Sequence, residues 1–326
     1  MSAETEFPLP LALLRTLAGP SGLILAADAA RLGLQRELRR ELERGVLVRL
    51  RRGVYMVAAE WSALKPDARY LRRVHAHAAM SAEPPVYSHY SAAALWGLPI
   101  IGAWPSNIHL ATAAATGGRS SHGVIRHPHE DDVEVSMRSG LQATSVAATA
   151  VAMARILPFG HAVAVVDAAI HVPRHGHPLA TQEQLESEVI ALGRVSGCAA
   201  ARRAVDFATN LSGSAGESLS RANMFLLGFQ IPSLQVPFFD HAGLIGYPDF
   251  FWRTINLVGE FDGFGKYLRH EFTQGRPTAD IVIAEKLRED RLRAVGMSVC
   301  RWGWSTANSL PEFAAFLTRT GVPRIR

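Results

Sequence analysis

The sequence predicts an α+β chain of more than one domain, and three observations carry that prediction. At 326 residues the chain exceeds what one hydrophobic core usually organises. Residues 9–57 read as three helix-periodic segments followed by two short strands. Further along, alanine-rich helical runs alternate with β-branched and aromatic segments, most clearly between Asp249 and Asp262. A hydrophobic content of 48% with 19% charged residues describes a folded chain and excludes a disordered one. No apolar run is long enough to span a bilayer, and the first residues lack the basic region and apolar core of a signal peptide. Cys198 and Cys300 form neither a metal spacing nor a disulfide framework. Together these features predict a cytoplasmic chain with no membrane partner. The net charge of +5 permits nucleic-acid binding without requiring it.

The first domain is expected over residues 1–80. Leu9 to Leu17 is apolar at helical spacing and stops at Gly19-Pro20. Leu23 to Leu32 reads as a second helix closed by Gly33, and Gln35 to Arg44 as a third closed by Gly45. Val46 to Leu50 and Gly53 to Val57 read as strands, with Arg51-Arg52-Gly53 at their tip. Three helices and a two-stranded wing form the winged helix-turn-helix pattern, in which the third helix enters the DNA major groove. Arg36, Arg39, Arg40 and Arg44 lie on that helix, and Arg49, Arg51 and Arg52 lie on the wing. Arg36, Arg40 and Arg44 recur every four residues and so form a stripe. Double-stranded DNA is the partner these seven arginines predict. Ion pairs with Glu37, Glu41 and Glu43 are a rival explanation for the helix, but not for the wing. The run from Leu42 to Tyr55 resembles the N-terminal domain of the abortive-infection type IV antitoxins, the AbiEi family. That resemblance implies operator DNA as the ligand and a toxin–antitoxin setting with a cognate toxin.

A mixed α/β middle region is expected over residues 81–213. Val86 to Leu98 reads as a strand leading into a helix, with Ser91 as the cap, and Ser88-His89-Tyr90-Ser91-Ala92 is similar to a segment of the same antitoxins. Ile108–Thr112, Gly123–His127 and Val133–Met137 read as strands; Thr144–Leu157, Ala162–His171, Gln182–Leu192 and Gly197–Ala208 read as helices. Three His-x-His pairs occur, at 75/77, 127/129 and 175/177, with no accompanying metal-ligand motif; pairs of solvated rings account for them. Ser88 and His89, adjacent on a strand, should point to opposite faces and so cannot form a nucleophile–base pair.

The last domain, 214–326, carries the expected chemistry. Phe250 to Trp252 and Ile255 to Phe261 read as two strands joined at Arg253-Thr254. Asp249 opens the first strand; Glu260 and Asp262 close the second on one face. A hairpin brings these three carboxylates to one end of the sheet, where like charges call for a cation, commonly a divalent metal held by oxygen ligands. Acids flanking loops in water are the plainer reading. Gly246-Tyr247-Pro248-Asp249 followed by Val258-Gly259-Glu260-Phe261-Asp262-Gly263 resembles the restriction-endonuclease-like superfamily with its PD…(D/E)xK motif, and especially the very-short-patch repair branch. Gly216 to Arg221 and Glu285 to Trp302 match that branch in order. The resemblance implies a restriction-endonuclease-like α/β domain that cleaves DNA with Mg²⁺ or Mn²⁺ on Asp249, Glu260 and Asp262. Glu217 would stand at the edge of the site and Lys266 nearby. Asp262 occupies the position of the motif lysine. A regulator or antitoxin that keeps the nuclease fold as a docking module is the alternative. Arg288 and its neighbours suit either a phosphate-tracking groove or pairing with Glu285, Glu289 and Asp290, and Arg301 could face the same site.

Overall fold

A computed structural model of the chain describes residues 9–113, 123–129, 134–173, 176–263 and 278–325. The chain is α+β and divides into two compact units, Met1–Thr149 and Ala150–Arg326. The expected joints near residues 80 and 213 fall inside these units. Among the described residues, no helix is long and apolar enough to cross a membrane.

The first unit begins with helix α1 (Leu9–Thr16), strand β1 (Ile24–Leu25) and helices α2 (Ala26–Arg31) and α3 (Gln35–Glu43). Strands β2 (Leu47–Arg51) and β3 (Val54–Val57) follow, and β1 joins them in an antiparallel sheet of order β1-β3-β2. Leu11, Leu14, Ile24, Ala29, Leu38, Leu47 and Val57 form the shared core. The expected helix from Leu23 is therefore shorter: Ile24 and Leu25 pair with Tyr55 and Val54 before the helix starts. Gly33 and Gly45 close α2 and α3 with φ of +72° and +71°, a region that costs glycine little.

Beyond this sheet lie α4 (Ala58–Ala63) and α5 (Pro66–Ala78). The sequence reading assigned no element there, although Pro66 stands at the first helical position, where proline is favoured. A five-stranded mixed sheet follows, with β4 (Val86–Tyr87), β5 (Ile108–Ala113), β6 (Val124–His129), β7 (Val135–Arg138) and β8 (Leu141–Thr144) in the order β6-β5-β4-β8-β7. Helix α6 (His89–Trp96) packs on it through Leu95 and Ala92, and Tyr70 of α5 donates its hydroxyl to the Asn107 carbonyl at 2.8 Å. The helix expected from Thr144 gives up its first residue to β8 and runs as α7 (Val146–Ala154). The residue preceding α6 is Ser88, not the expected Ser91, whose hydroxyl is buried against Tyr70 and the His109 amide.

The second unit opens with α8 (Phe159–Ile170), α9 (Gln182–Ala191), α10 (Cys198–Phe207) and α11 (Ala215–Leu226). α8 and α11 are tied by a buried ion pair, with Arg221 donating to both Asp167 oxygens at 3.0 and 3.1 Å. Arg221 also donates to the Phe207 carbonyl at 2.7 Å, and Asp167 accepts from the Thr209 amide at 2.8 Å. A buried pair with this many partners is costly to break from one side. Arg221 thus pairs across helices, not with Glu217 on its own helix surface.

The sheet of this unit has the order β14-β13-β12-β9, built from β9 (Ser233–Leu234), β12 (Phe250–Trp252), β13 (Leu257–Asp262) and β14 (Ser298–Gly303). β12 and β13 are antiparallel, whereas β13 and β14 are parallel. A separate ribbon is formed by β10 (Phe238–Asp240) and β11 (Gly243–Gly246). Arg253–Ile255 forms a 3₁₀ turn and Asn256 takes φ +47°, so the link between β12 and β13 is longer than the expected two residues. Helix α12 (Thr278–Ala294) packs Leu292 against Phe251, Val258 and Ile245 on one face. On the other face Trp302 stacks on Phe250 and packs near Phe313, and donates to Ser220 of α11 at 2.8 Å. Short helix α13 (Trp304–Asn308) and α14 (Leu310–Arg319) complete that layer.

Two glycines permit this packing. A Cβ on Gly216 would lie 2.0 Å from the Phe261 ring, and one on Gly259 would lie 2.8 Å from Trp302 and 2.9 Å from Trp252. Overpacking of this kind costs about 1–3 kcal/mol. Gly259→Ala is therefore expected to lower the unfolding midpoint by roughly 3–10 °C. Differential scanning calorimetry checks it, and an unchanged midpoint would show that the Trp252–Gly259–Trp302 contact does not limit the fold.

Candidate functional site

The hairpin register builds the site. Phe250 pairs with Gly259, so Asp249 stands level with Glu260 at the same sheet end. The Asp249 carboxylate accepts the Phe261 amide at 2.8 Å. Strand alternation turns Val258, Glu260 and Asp262 toward α12, and Arg301 of β14 shares that side, in register with Glu260. The Glu260 side chain is 12% exposed. Its Oε2 accepts from Arg288 Nη2 at 2.6 Å, while its buried Oε1 has no hydrogen-bond partner among the described residues. Burial pushes the Glu260 carboxyl above its ordinary range; Arg288 opposes the shift, and the charges of Asp249 and Glu285 add to it.

The carboxylates are bound together by arginines. Arg288 also donates to Glu285 at 2.6 and 3.0 Å. Arg301 bridges Glu285 and Glu289, reaching the latter at 3.1 Å, and lies 3.8 Å from Asp262. Arg293 closes the chain of contacts on Glu289 at 2.7 Å. Of the two alternatives for Arg288, pairing with Glu285 is the one observed. Farther along α12, Arg291 holds Asp240 of the β10–β11 ribbon at 2.6 Å, a pair the sequence reading did not foresee.

Of the expected site residues, Asp249 and Glu260 are brought together. Asp262 is 45% exposed and inclines toward Arg301. Among the described residues, no three His, Cys, Asp or Glu side chains are grouped to hold a metal. The parallel pairing of β13 with β14 sets Arg301 in register with Glu260 beside the strand end. Glu217 is buried and engaged at the start of α11, accepting from the Gly213 amide and the Ser214 hydroxyl, each at 2.8 Å. The spacing Ser214-x-x-Glu217 is that of a helix-capping pair and could have signalled this role. Lys266 lies outside the described residues.

In the first unit Arg36, Arg39, Arg40, Arg44, Arg49 and Arg52 are exposed and Arg51 is half-buried. Arg44 pairs with the buried Glu41 at 3.1 Å. The other six make no ion pair among the described residues. Intrahelical pairing therefore accounts for Arg44 alone.

His177 is exposed, as expected of a solvated ring, but His77 and His127 depart from that expectation. His77 is buried with its Nδ1 3.0 Å from the Tyr87 hydroxyl. His109 Nδ1 and His127 Nε2 are 2.9 Å apart, and His127 stacks on His89 with centroids 3.6 Å apart. Ser88 and His89 also correct the sequence reading, since their Oγ and Nδ1 approach to 3.3 Å. The chain leaves the strand at His89, where φ is +46°, and strand alternation no longer applies. Ser88 is fully buried, which denies it a substrate.

No family model matches the chain. It is similar to two uncharacterized proteins of Mycobacterium tuberculosis, one from each of two strains. Each is 35% identical over 124 residues, which is 38% of this chain and 44% of the relative. The chain thus spans less than half the length of the curated relatives it matches.

The arginine network has a measurable pH signature. Burial works against ionisation of Glu285, but the hydrogen bonds from Arg288 and Arg301 outweigh it and hold the carboxyl at about 2, below its ordinary 4.5. Its stabilisation is present above that ordinary value and is lost as pH falls toward the folded-state value. Glu285→Gln is expected to cost about 1–3 kcal/mol at pH 7 and to flatten the loss of stability between those two values. Urea unfolding at pH 7 and pH 3 measures both, and identical acid limbs in the two proteins would contradict it.

Proposed function

We propose that this chain is a cytoplasmic DNA-binding protein in which a duplex-docking module accompanies a metal-dependent endonuclease module. The observation that carries the nuclease reading is the Asp249–Glu260 pair, in which one buried Glu260 oxygen has no hydrogen-bond partner among the described residues. These residues fit Mg²⁺ or Mn²⁺. Magnesium is commonly held by one or two carboxylates, with water and phosphate oxygens completing its shell. When bound, the metal would supply an activated water and charge stabilisation for phosphodiester hydrolysis. Asp249 and Glu260 would hold it, and the Phe261 amide keeps Asp249 oriented. The order β14-β13-β12-β9 between helices on both faces supports a restriction-endonuclease-like reading of this domain. Fold likeness alone never fixes an activity.

The DNA-binding half of the reading is supported by α3 and the β2–β3 hairpin, whose arginines are exposed except for half-buried Arg51 and, Arg44 apart, make no ion pair among the described residues. A helix standing before a three-stranded wing suits major-groove docking with backbone contacts from the wing. A second reading has its own support. Arg288 already neutralises Glu260, and Asp262 fills the usual lysine position, as suits a non-catalytic regulator or antitoxin that pairs with a cognate toxin.

Two experiments test these statements. Plasmid DNA with Mg²⁺ or Mn²⁺ is expected to be nicked or cut by the wild-type chain, and at a rate at least about 100-fold lower by Asp249→Ala. Intact plasmid with the wild type would leave the regulator reading in place. In gel-shift titrations, replacing Arg49, Arg51 and Arg52 together by glutamate should weaken binding to every duplex. It should also reduce the slope of log affinity against log salt by up to about 3. Unchanged affinity and slope would remove the wing from the interface.

A further inference from the structure

We infer that Arg288 is a resident counter-ion of the Glu260 carboxylate, and that a divalent cation entering the Asp249–Glu260 pair must displace it; this rests on the nuclease reading above. The geometry carries the inference. Arg288 Nη2 stands 2.6 Å from Glu260 Oε2, on the same carboxylate whose other oxygen is unpartnered. A divalent ion on that carboxylate would lie within a few ångströms of the guanidinium, where like charges repel strongly in a half-buried setting. Arg288 has a second anchor already in place. Its Nε and Nη2 both contact Glu285 of its own helix, at 3.0 and 2.6 Å. Letting go of Glu260 therefore leaves the arginine paired and costs one charge-assisted contact, not two. Glu285 is itself held by Arg301, which keeps the receiving carboxylate fixed. Arg288 offsets part of the negative charge of the pair, on the Glu260 side, in the absence of metal. Metal affinity is accordingly set by an exchange of one cation for another, not by filling an empty acidic pocket.

The test is a Mg²⁺ titration followed by thermal unfolding, on the full chain, for wild type, Arg288→Met and Arg288→Lys. Metal that binds only the folded state raises stability by RT ln(1 + [Mg²⁺]/Kd), so fitting the rise, corrected to one temperature, yields for each protein the dissociation constant, which is its half-saturating concentration. Arg288→Met keeps the bulk of the side chain and removes its charge, and its half-saturating Mg²⁺ should be lower than wild type by about tenfold, within the span of ordinary coupling energies. Arg288→Lys cannot bridge both carboxylates with one fork. It should fall between the two, and it serves if the Met variant does not fold. A wild-type midpoint that rises with Mg²⁺ while the variants saturate at the same or higher concentration would overturn the exchange and leave the nuclease reading standing. No Mg²⁺-dependent rise in any of the three would overturn the nuclease reading, and the exchange with it.

Discussion

The second unit depends on how one carboxylate, Glu260, is kept charged-compatible at the end of a buried strand. β13 is the central strand, paired on one side with β12 and on the other with β14, so its end cannot move without opening both ladders. Glu260 is buried there beside Asp249, and Arg288 is the group that makes this tolerable. Arg288 must in turn be delivered by α12, whose Leu292 packs on Val258 and Phe251. Arg301 and Glu285 fix α12 against β14 through the same network. Packing under the opposite face does the complementary work: Gly259 and Gly216 allow Trp302, Trp252 and Phe261 to close on the sheet. Removing one buried partner from such a network costs more than the net worth of the pair, because the other charge is stranded.

The hairpin end was legible in sequence because its determinants are local. Strand alternation puts Glu260 and Asp262 on one face, and antiparallel reversal sets Asp249 level with Glu260, whatever the rest of the chain does. What neutralises them was not legible. Arg288 is 28 residues from Glu260, and its choice among phosphate, Glu285 and Asp290 depends on how α12 seats on the sheet. The choice of Arg221 was hidden for the same reason: Asp167 lies 54 residues away, while Glu217 is one helical turn away on the same helix. Short elements failed for a different cause. A two-residue strand such as Ile24–Leu25 has no period to detect, and it exists only because β3 offers an edge. Ser88 and His89 were misjudged because alternation was extended past the last residue that was extended.

The first unit poses an electrostatic contrast. Its arginines on α3 and the β2–β3 hairpin are mostly exposed and, Arg44 apart, make no ion pair among the described residues, whereas Arg288 and Arg301 of the second unit are consumed by carboxylates. The same residue type is thus placed in two different settings in one chain, and partner geometry, not composition, separates them.

The central claim is that Asp249 and Glu260 form one cation-binding pair at the sheet end. Electron paramagnetic resonance of free Mn²⁺ during titration of the chain measures this directly, since bound Mn²⁺ leaves the sharp free-ion signal. The wild type is expected to remove a single Mn²⁺ per chain from solution, and Asp249→Asn and Glu260→Gln are expected to remove far less. Equal uptake by all three, or none by the wild type, would contradict the claim.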